Sequence, residues 1–173
     1  NIFYMAVISL MMIPGILTLV PSFMLYKSLI GLDNYMILIL PQIVGPVFGV
    51  FLLRSFFEGI PEDIFEASRI DGAGEFKIYM KVCLPLSLPI MGTLAIMQIT
   101  NAWNDYMWPM ITIKNNDLMT ISAGLMLNYV GPTNSNYPII TAGYLVASIP
   151  LIFIFIFANK FFIQGLTGSA MKL

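Results

Sequence analysis

Histidine is absent from the 173 residues and cysteine occurs once, at Cys83, which excludes a Cys/His zinc site, a Ser-His-Asp triad and a disulfide framework within one copy. Charge is scarce too. Only 10% of the residues are Asp, Glu, Lys or Arg, against roughly 25% in soluble domains, while 58% are hydrophobic. None of the 13 glycines is followed by Lys, so the phosphate-cradling G-x-x-x-x-G-K-[ST] loop is missing and any nucleotide chemistry belongs to another chain. No residue pair suggests a catalytic dyad, and no low-complexity segment, repeat or linker between soluble domains is visible. The chain therefore reads as a non-enzyme with no metal and no cofactor of its own.

What is present is apolar sequence, with a mean hydropathy of +0.86. Uncharged runs extend from Phe3 to Tyr26, Tyr35 to Leu53, Val82 to Asn104 and Pro138 to Ala158. Each supplies the roughly 20 residues that a helix needs to cross a hydrocarbon core about 30 Å thick. The runs are continuous rather than alternating, which favours helices over barrel strands. The expected fold is all-α: a polytopic transmembrane helical bundle of four spans, one membrane domain over residues 1–173. Residue 1 is Asn, and span one starts at once with neither a basic n-region nor a cleavage site, so an N-terminally incomplete protein is expected.

Basic residues orient the spans. Arg54, Arg69, Lys77 and Lys81 lie between spans two and three, and Lys160 and Lys172 lie in the tail; only Lys27 and Lys114 lie elsewhere. The positive-inside tendency puts that loop and both ends of the chain on the cytoplasmic side of a cell membrane.

The loop holds the most informative stretch, a charged island at residues 58–81. Pro61 suits a first helical position, and Glu62 and Asp63 suit the positive end of the helix dipole. A short amphipathic helix is expected to run through Ile64, Phe65, Glu66, Ala67, Ser68 and Ile70 and to end at Gly72, which can take the left-handed conformation. A second, from Glu75 to Val82, is expected to stop at Leu84-Pro85, giving a bent pair. Small residues Ala67, Ser68, Gly72 and Ala73 permit close approach of another surface, while Glu66, Arg69 and Asp71 offer polar handles. Composition alone also fits a charged loop lying on lipid headgroups.

Span three carries Gln98, Asn101 and Asp105 three and four residues apart, hence on one helical stripe, with Asn104 beside it. Such side chains face a bundle interior or a wet cavity. They either line a hydrophilic path, where amides and carboxylates suit sugar hydroxyls, or bond to a neighbouring helix. Trp103 and Trp108 are expected to anchor the helix at the membrane interface, with stacking on a sugar as the alternative. Gly45-Pro46-Val47-Phe48-Gly49 fits close helix packing or a kink. Pro14, Pro21, Pro89 and Pro150 are expected to bend their spans. Met residues and Cys83 read as apolar filler. In the loop from Tyr106 to Tyr137, Thr120 to Val130 is expected to form a short helix, before a break at Gly131 to Asn136.

Glu66-Ala67-Ser68, Gly72 and Val82-Cys83-Leu84-Pro85, at their spacing, resemble the EAA signature of permease subunits in binding-protein-dependent ABC importers. Asn101-Ala102-Trp103-Asn104-Asp105-Tyr106-Met107-Trp108-Pro109 is similar to the segment after the next span in carbohydrate importer permeases, and Gln164 to Lys172 to their C-terminal tail. The likeness favours the maltose-transporter type of inner permease subunit and covers nearly the whole chain. It departs at Ser68, where Ala is usual, at Val82, where Ile is usual, and at Leu173, where Gly often ends the tail.

The resemblance implies a fold in which these are the last four of six spans. It implies a permease subunit that forms half of a path for a sugar or related solute, with residues 58–81 as a cytoplasmic coupling region. Glu66, Ala67, Ser68, Asp71, Gly72 and Ala73 would dock onto a cytoplasmic ATPase, and Gln98, Asn101, Asn104 and Asp105 would line the path. The implied partners are an ATP-binding subunit dimer, which holds the ATP, a second permease subunit, an extracytoplasmic solute-binding protein that meets the loop at 106–137, and membrane lipid; nucleic acid is not among them. The alternatives are an ion-coupled carrier or channel, which calls for ionisable residues buried in several spans, and a non-transporting assembly subunit.

Overall fold

The computed structural model describes residues 2–43, 47–130 and 136–170, with side chains up to Ala158. Its α-helices are α1 (Ile2–Ser9), α2 (Gly15–Ile30), α3 (Met36–Ile43), α4 (Val47–Glu58), α5 (Glu62–Ile70), α6 (Glu75–Ile78), α7 (Leu84–Asn104), α8 (Met107–Thr112), α9 (Ile121–Tyr129) and α10 (Tyr137–Ala170). No strand occurs among the described residues, so the fold is all-α as expected. Three stretches, Met36–Glu58, Glu75–Asn104 and Tyr137–Ala158, are long and apolar enough to cross a membrane, and expected spans two, three and four fall on them. The expected Gly45 to Gly49 packing motif lies partly outside the described residues, as do Gly131 to Ser135 and the end of the tail.

The first apolar run is not one straight helix. Ile2–Met12 and Gly15–Ile30 meet at 97°, so the run counts as a span only as a broken pair. Pro14 is the cause. A residue before proline is pushed out of helical geometry, and Ile13 is extended at φ −80°, ψ 116°. Pro21, by contrast, sits inside α2 without ending it, as Pro89 does in α7 and Pro150 in α10.

The chain divides into two compact units, the first formed by residues 1–45 and 98–154 and the second by 46–97 and 155–173. In the first, Ile37, Trp108 and Ile113 form a buried cluster, with Phe23, Tyr26 and Leu118 against it. The Trp108 indole N–H donates to the Ile37 carbonyl at 2.8 Å, and its ring meets Tyr26 edge-on at 5.7 Å. Trp103, half-buried, donates its indole N–H to the Ala147 carbonyl at 3.1 Å. Both indoles tie helices together through their N–H groups.

Between Tyr106 and Val130 the chain forms α8 and α9, each opened by a side-chain acceptor. The Asp105 carboxylate accepts from the Trp108 N–H at 3.2 Å and opens α8, while the Thr120 hydroxyl accepts from the Ala123 N–H and opens α9, the helix expected there. Asp33 fastens the stretch that follows α8. Its carboxylate accepts the N–H groups of Lys114 and Asn115, and its own N–H donates to the Thr112 carbonyl at 3.1 Å. These bonds hold Asp33 at φ +57°, a left-handed conformation that Asp tolerates better than most residues. Gly143 of α10 faces Leu125 of α9 so closely that a Cβ there would force the leucine to move.

The second unit buries Ile78, Ile90, Ser87 and Thr93. Both hydroxyls are satisfied within α7, Ser87 by the Leu84 carbonyl at 2.8 Å and Thr93 by the Pro89 carbonyl at 3.1 Å, so small polar residues sit in this core without an orphaned group. Gly49 of α4 is buried as well.

Candidate functional site

The charged island folds largely as its residues dictate. Pro61 precedes α5, Glu62 and Asp63 occupy the first turn, and Arg69 lies in the last turn near the negative dipole end. The helix then closes on Gly72 at φ +75°. The Ala73 N–H donates to the Ser68 carbonyl at 3.0 Å and the Gly72 N–H to the Arg69 carbonyl at 3.0 Å, the paired bonds of a Schellman motif. Only glycine takes that φ freely. Glu66, Ala67, Asp71, Gly72 and the side chain of Arg69 are all open to solvent, and the Ser68 hydroxyl turns back onto the Ile64 carbonyl at 2.8 Å.

The second half of the island differs from expectation. α6 stops at Ile78, a wide π turn covers Tyr79–Cys83, and α7 follows with no break at Leu84-Pro85. From Glu75 to Asn104 the helical run is 30 residues long. A turn of π geometry shifts the carbonyl register, which gives the ring of Pro85 room and spares a carbonyl from waiting for the N–H that proline lacks. The two helices of the pair are separated at Asp71–Gly74, where the sequence placed the end of the first. A cavity of about 540 Å³ beside the π turn is lined by Arg54, Phe57, Glu58, Phe65, Tyr79 and Cys83, with Arg54 and Glu58 paired at 2.7 Å.

Of the polar stripe in the first unit, three members share a cavity. Asn101, Asn104 and Asp105 line about 380 Å³ together with Gln42, Tyr106 and Met107. Gln98 does not line it; its amide donates to Gln42 Oε1 at 2.8 Å. Asn104 is partly spent on the Thr100 carbonyl at 2.8 Å, and Asp105 on the start of α8. A neighbouring cavity of about 390 Å³ is lined by Leu38, Ile39, Gln42, Ala102, Asp105 and Trp108, among others. Gln42 was missed by sequence reasoning. Its signal was available, since it is the one strongly polar side chain between Met36 and Leu53. Amide and carboxylate groups so arranged can donate to and accept from hydroxyls; among the described residues no cluster fit to hold a metal occurs.

Apolar helices of span length, an amide-lined cavity and a charged helix pair leading into α7 define a multi-pass membrane protein. The family described as "Binding-protein-dependent transport system inner membrane component" matches residues 1–168, and the chain belongs to it. Similar proteins include the arabinooligosaccharides transport system permease protein AraQ of Halalkalibacterium halodurans, 37% identical over 99% of this chain and 61% of that protein. The Bacillus subtilis protein of the same name is 37% identical over 99% of this chain and 60% of its own length. The melibiose/raffinose/stachyose import permease protein MelC of Bacillus subtilis is 30% identical over 95% of this chain and 60% of its own. The chain thus spans about three fifths of these relatives' length. A crystal structure of a bacterial ABC transporter involved in the import of the acidic polysaccharide alginate shares the fold, with a TM-score of 0.73 at 24% identity over 94% of this chain and 61% of that one.

Proposed function

We propose that the chain acts as a permease subunit of an ATP-driven importer, forming half of the pathway for a sugar or related solute. The observation that carries this reading is the island: a solvent-open helix closed by a Schellman turn and followed directly by a 30-residue helical run that begins with α6. α5 is thereby continuous, through one short turn, with a membrane helix. In this reading Glu66, Ala67, Ser68, Asp71, Gly72 and Ala73 sit in a cleft of a cytoplasmic ATP-binding subunit, residues 58–81 and both ends of the chain face the cytoplasm, and closure of the ATPase dimer switches the path between inward-open and outward-open arrangements. ATP is bound by the partner. Asn101, Asn104 and Asp105, with Gln42, offer the path its polar lining, Gln98 holds Gln42 beside them, a second permease subunit supplies the other half, and the segment at 106–137 meets a solute-binding protein. Carbohydrate as the solute is supported by the relatives' names, which specify arabinooligosaccharides and the melibiose/raffinose/stachyose group.

Reconstitution with candidate ATPase, permease and binding-protein subunits tests the reading. Oligosaccharide-stimulated ATP turnover with uptake is expected. Uptake that follows an ion gradient without any ATPase, or labelling that places Glu66 on the external side, overturns it.

A further inference from the structure

The turn between α5 and α6 has a mechanical weakness. It contains Gly72 and Gly74, and a Cβ added at either would meet no atom within 4 Å beyond its chain neighbours, so no side chain packs against these two positions and the turn rests on main-chain hydrogen bonds. A force on α5 would be absorbed at this point unless something spans it.

One side-chain link does. Arg69 Nε donates to Glu75 Oε1 at 3.0 Å, joining the last turn of α5 to the first turn of α6. Each charge also suits its own helix end, the cation at the C-terminus of α5 and the carboxylate at the N-terminus of α6. The residues next in sequence to the pair, Ile70 and Phe76, are 86% and 79% exposed, so the link also fixes the spacing of two apolar side chains at the tip of the island.

We propose that the Arg69–Glu75 pair is a coupling brace: by spanning the glycine turn it makes α5 and α6 move as one body, so that displacement of α5 reaches the helical run Glu75–Asn104. The proposal rests on the docking reading above and adds a positioning role for two residues outside the docking set. The pair is half open to water, with side chains 48% and 76% exposed, and such pairs add little to stability. Its effect therefore shows in transmission rather than in folding. Glu75 is the principal partner that holds the Arg69 guanidinium charged, with smaller help from Glu62 and Glu66. When Glu75 is lost, Arg69 still has carboxylates on its own helix, but none across the turn.

The test is a double-mutant cycle on the complete importer in proteoliposomes, reading ATP hydrolysed per solute imported. Arg69→Gln and Glu75→Gln are each expected to raise that ratio about threefold, the scale on which single residues modulate coupling. The double variant is expected to be no worse than either single, because one link is lost in all three. Arg69→Lys, which can still bridge the turn, is expected to restore most of the coupling. Wild-type ratios in either single, or effects that multiply in the double, overturn the brace. A cross-link from a Glu66→Cys variant to the ATPase separates the two ideas: if it forms while the ratios stay at wild type, only the brace fails, and if it does not form, the docking reading fails and the brace with it.

Discussion

Trp108 and Ile37, 71 positions apart, are joined by an indole N–H that donates to a buried main-chain carbonyl at 2.8 Å. Ile37 lies in the first turn of α3, so the bond fixes the start of an apolar stretch to the segment after α7. The edge of Tyr26 against the same ring brings in α2. One side chain thus holds three helices, using both its apolar face and its single donor.

Trp108→Phe keeps most of the apolar burial and removes the donor. The Ile37 carbonyl then stays buried and unpaired, at a cost of about 1–3 kcal/mol. A lower midpoint in thermal unfolding of the detergent-solubilised importer is the expected result, and an unchanged midpoint would show that the bond contributes nothing.

The Gln42–Gln98 pair makes a separate case. Interhelical bonds of this kind average about 0.6 kcal/mol and reach about 1.7 in membrane proteins. Gln42→Leu and Gln98→Leu should each destabilise, since each strands an amide, and the double substitution should cost less than the two singles together. If the losses simply add, the bond is not a coupled unit. Solute affinity gives a second readout: Gln42 lines the polar cavity and Gln98 does not, so Gln42→Leu should raise the solute concentration for half-maximal uptake more than Gln98→Leu.

Asp33 predicts a dependence on acid. The N–H groups of Lys114 and Asn115 hold its carboxyl below the usual carboxylate value, with a smaller contribution from the Lys114 charge. A folded-state pKa below the unfolded one adds stability above the unfolded value, about 3.9, and that stability fades as pH falls through the folded value. Asn tolerates the left-handed backbone as Asp does, so Asp33→Asn isolates the charge. The wild type should melt higher than this variant at neutral pH, and the gap should close below about pH 4. A gap that widens in acid would refute the assignment.

Gly72→Ala should cost about 1–2 kcal/mol in holding the turn, because the backbone there lies at φ +75°. Gly72→Pro goes further, since proline can neither take that φ nor donate to the Arg69 carbonyl. Gly72→Pro and Glu66→Lys are both expected to uncouple ATP hydrolysis from transport while leaving membrane insertion intact. Uptake at the wild-type rate in these variants, measured beside ATP turnover, would remove the docking role.

Much of the island was legible because its signals are local. A proline, two acids and a glycine at helical spacing bound α5 whatever lies around it. Pro85 misled for the same reason: locally it reads as a stop, yet a π turn over Tyr79–Cys83 carries the helix past it. Pro14 was legible as a bend but not in its size, since the chain turns there by 97°. The polar stripe was legible as a stripe, whereas its division into a paired Gln98 and a cavity-lining group was not, because Gln42 sits 56 positions away from its partner.

By itself, then, the sequence determined the medium and the class of fold. Uncharged runs of span length cannot stay in water, and inside lipid their backbone groups must bond within each helix. Tertiary structure decided which polar side chains are occupied and which remain open: Trp108 and Trp103 found carbonyl partners in other helices, Gln98 found Gln42, and Asn101, Asn104 and Asp105 were left around a cavity. Those outcomes depend on which distant segments approach one another, and helical periodicity reports only the face a residue shares with its near neighbours.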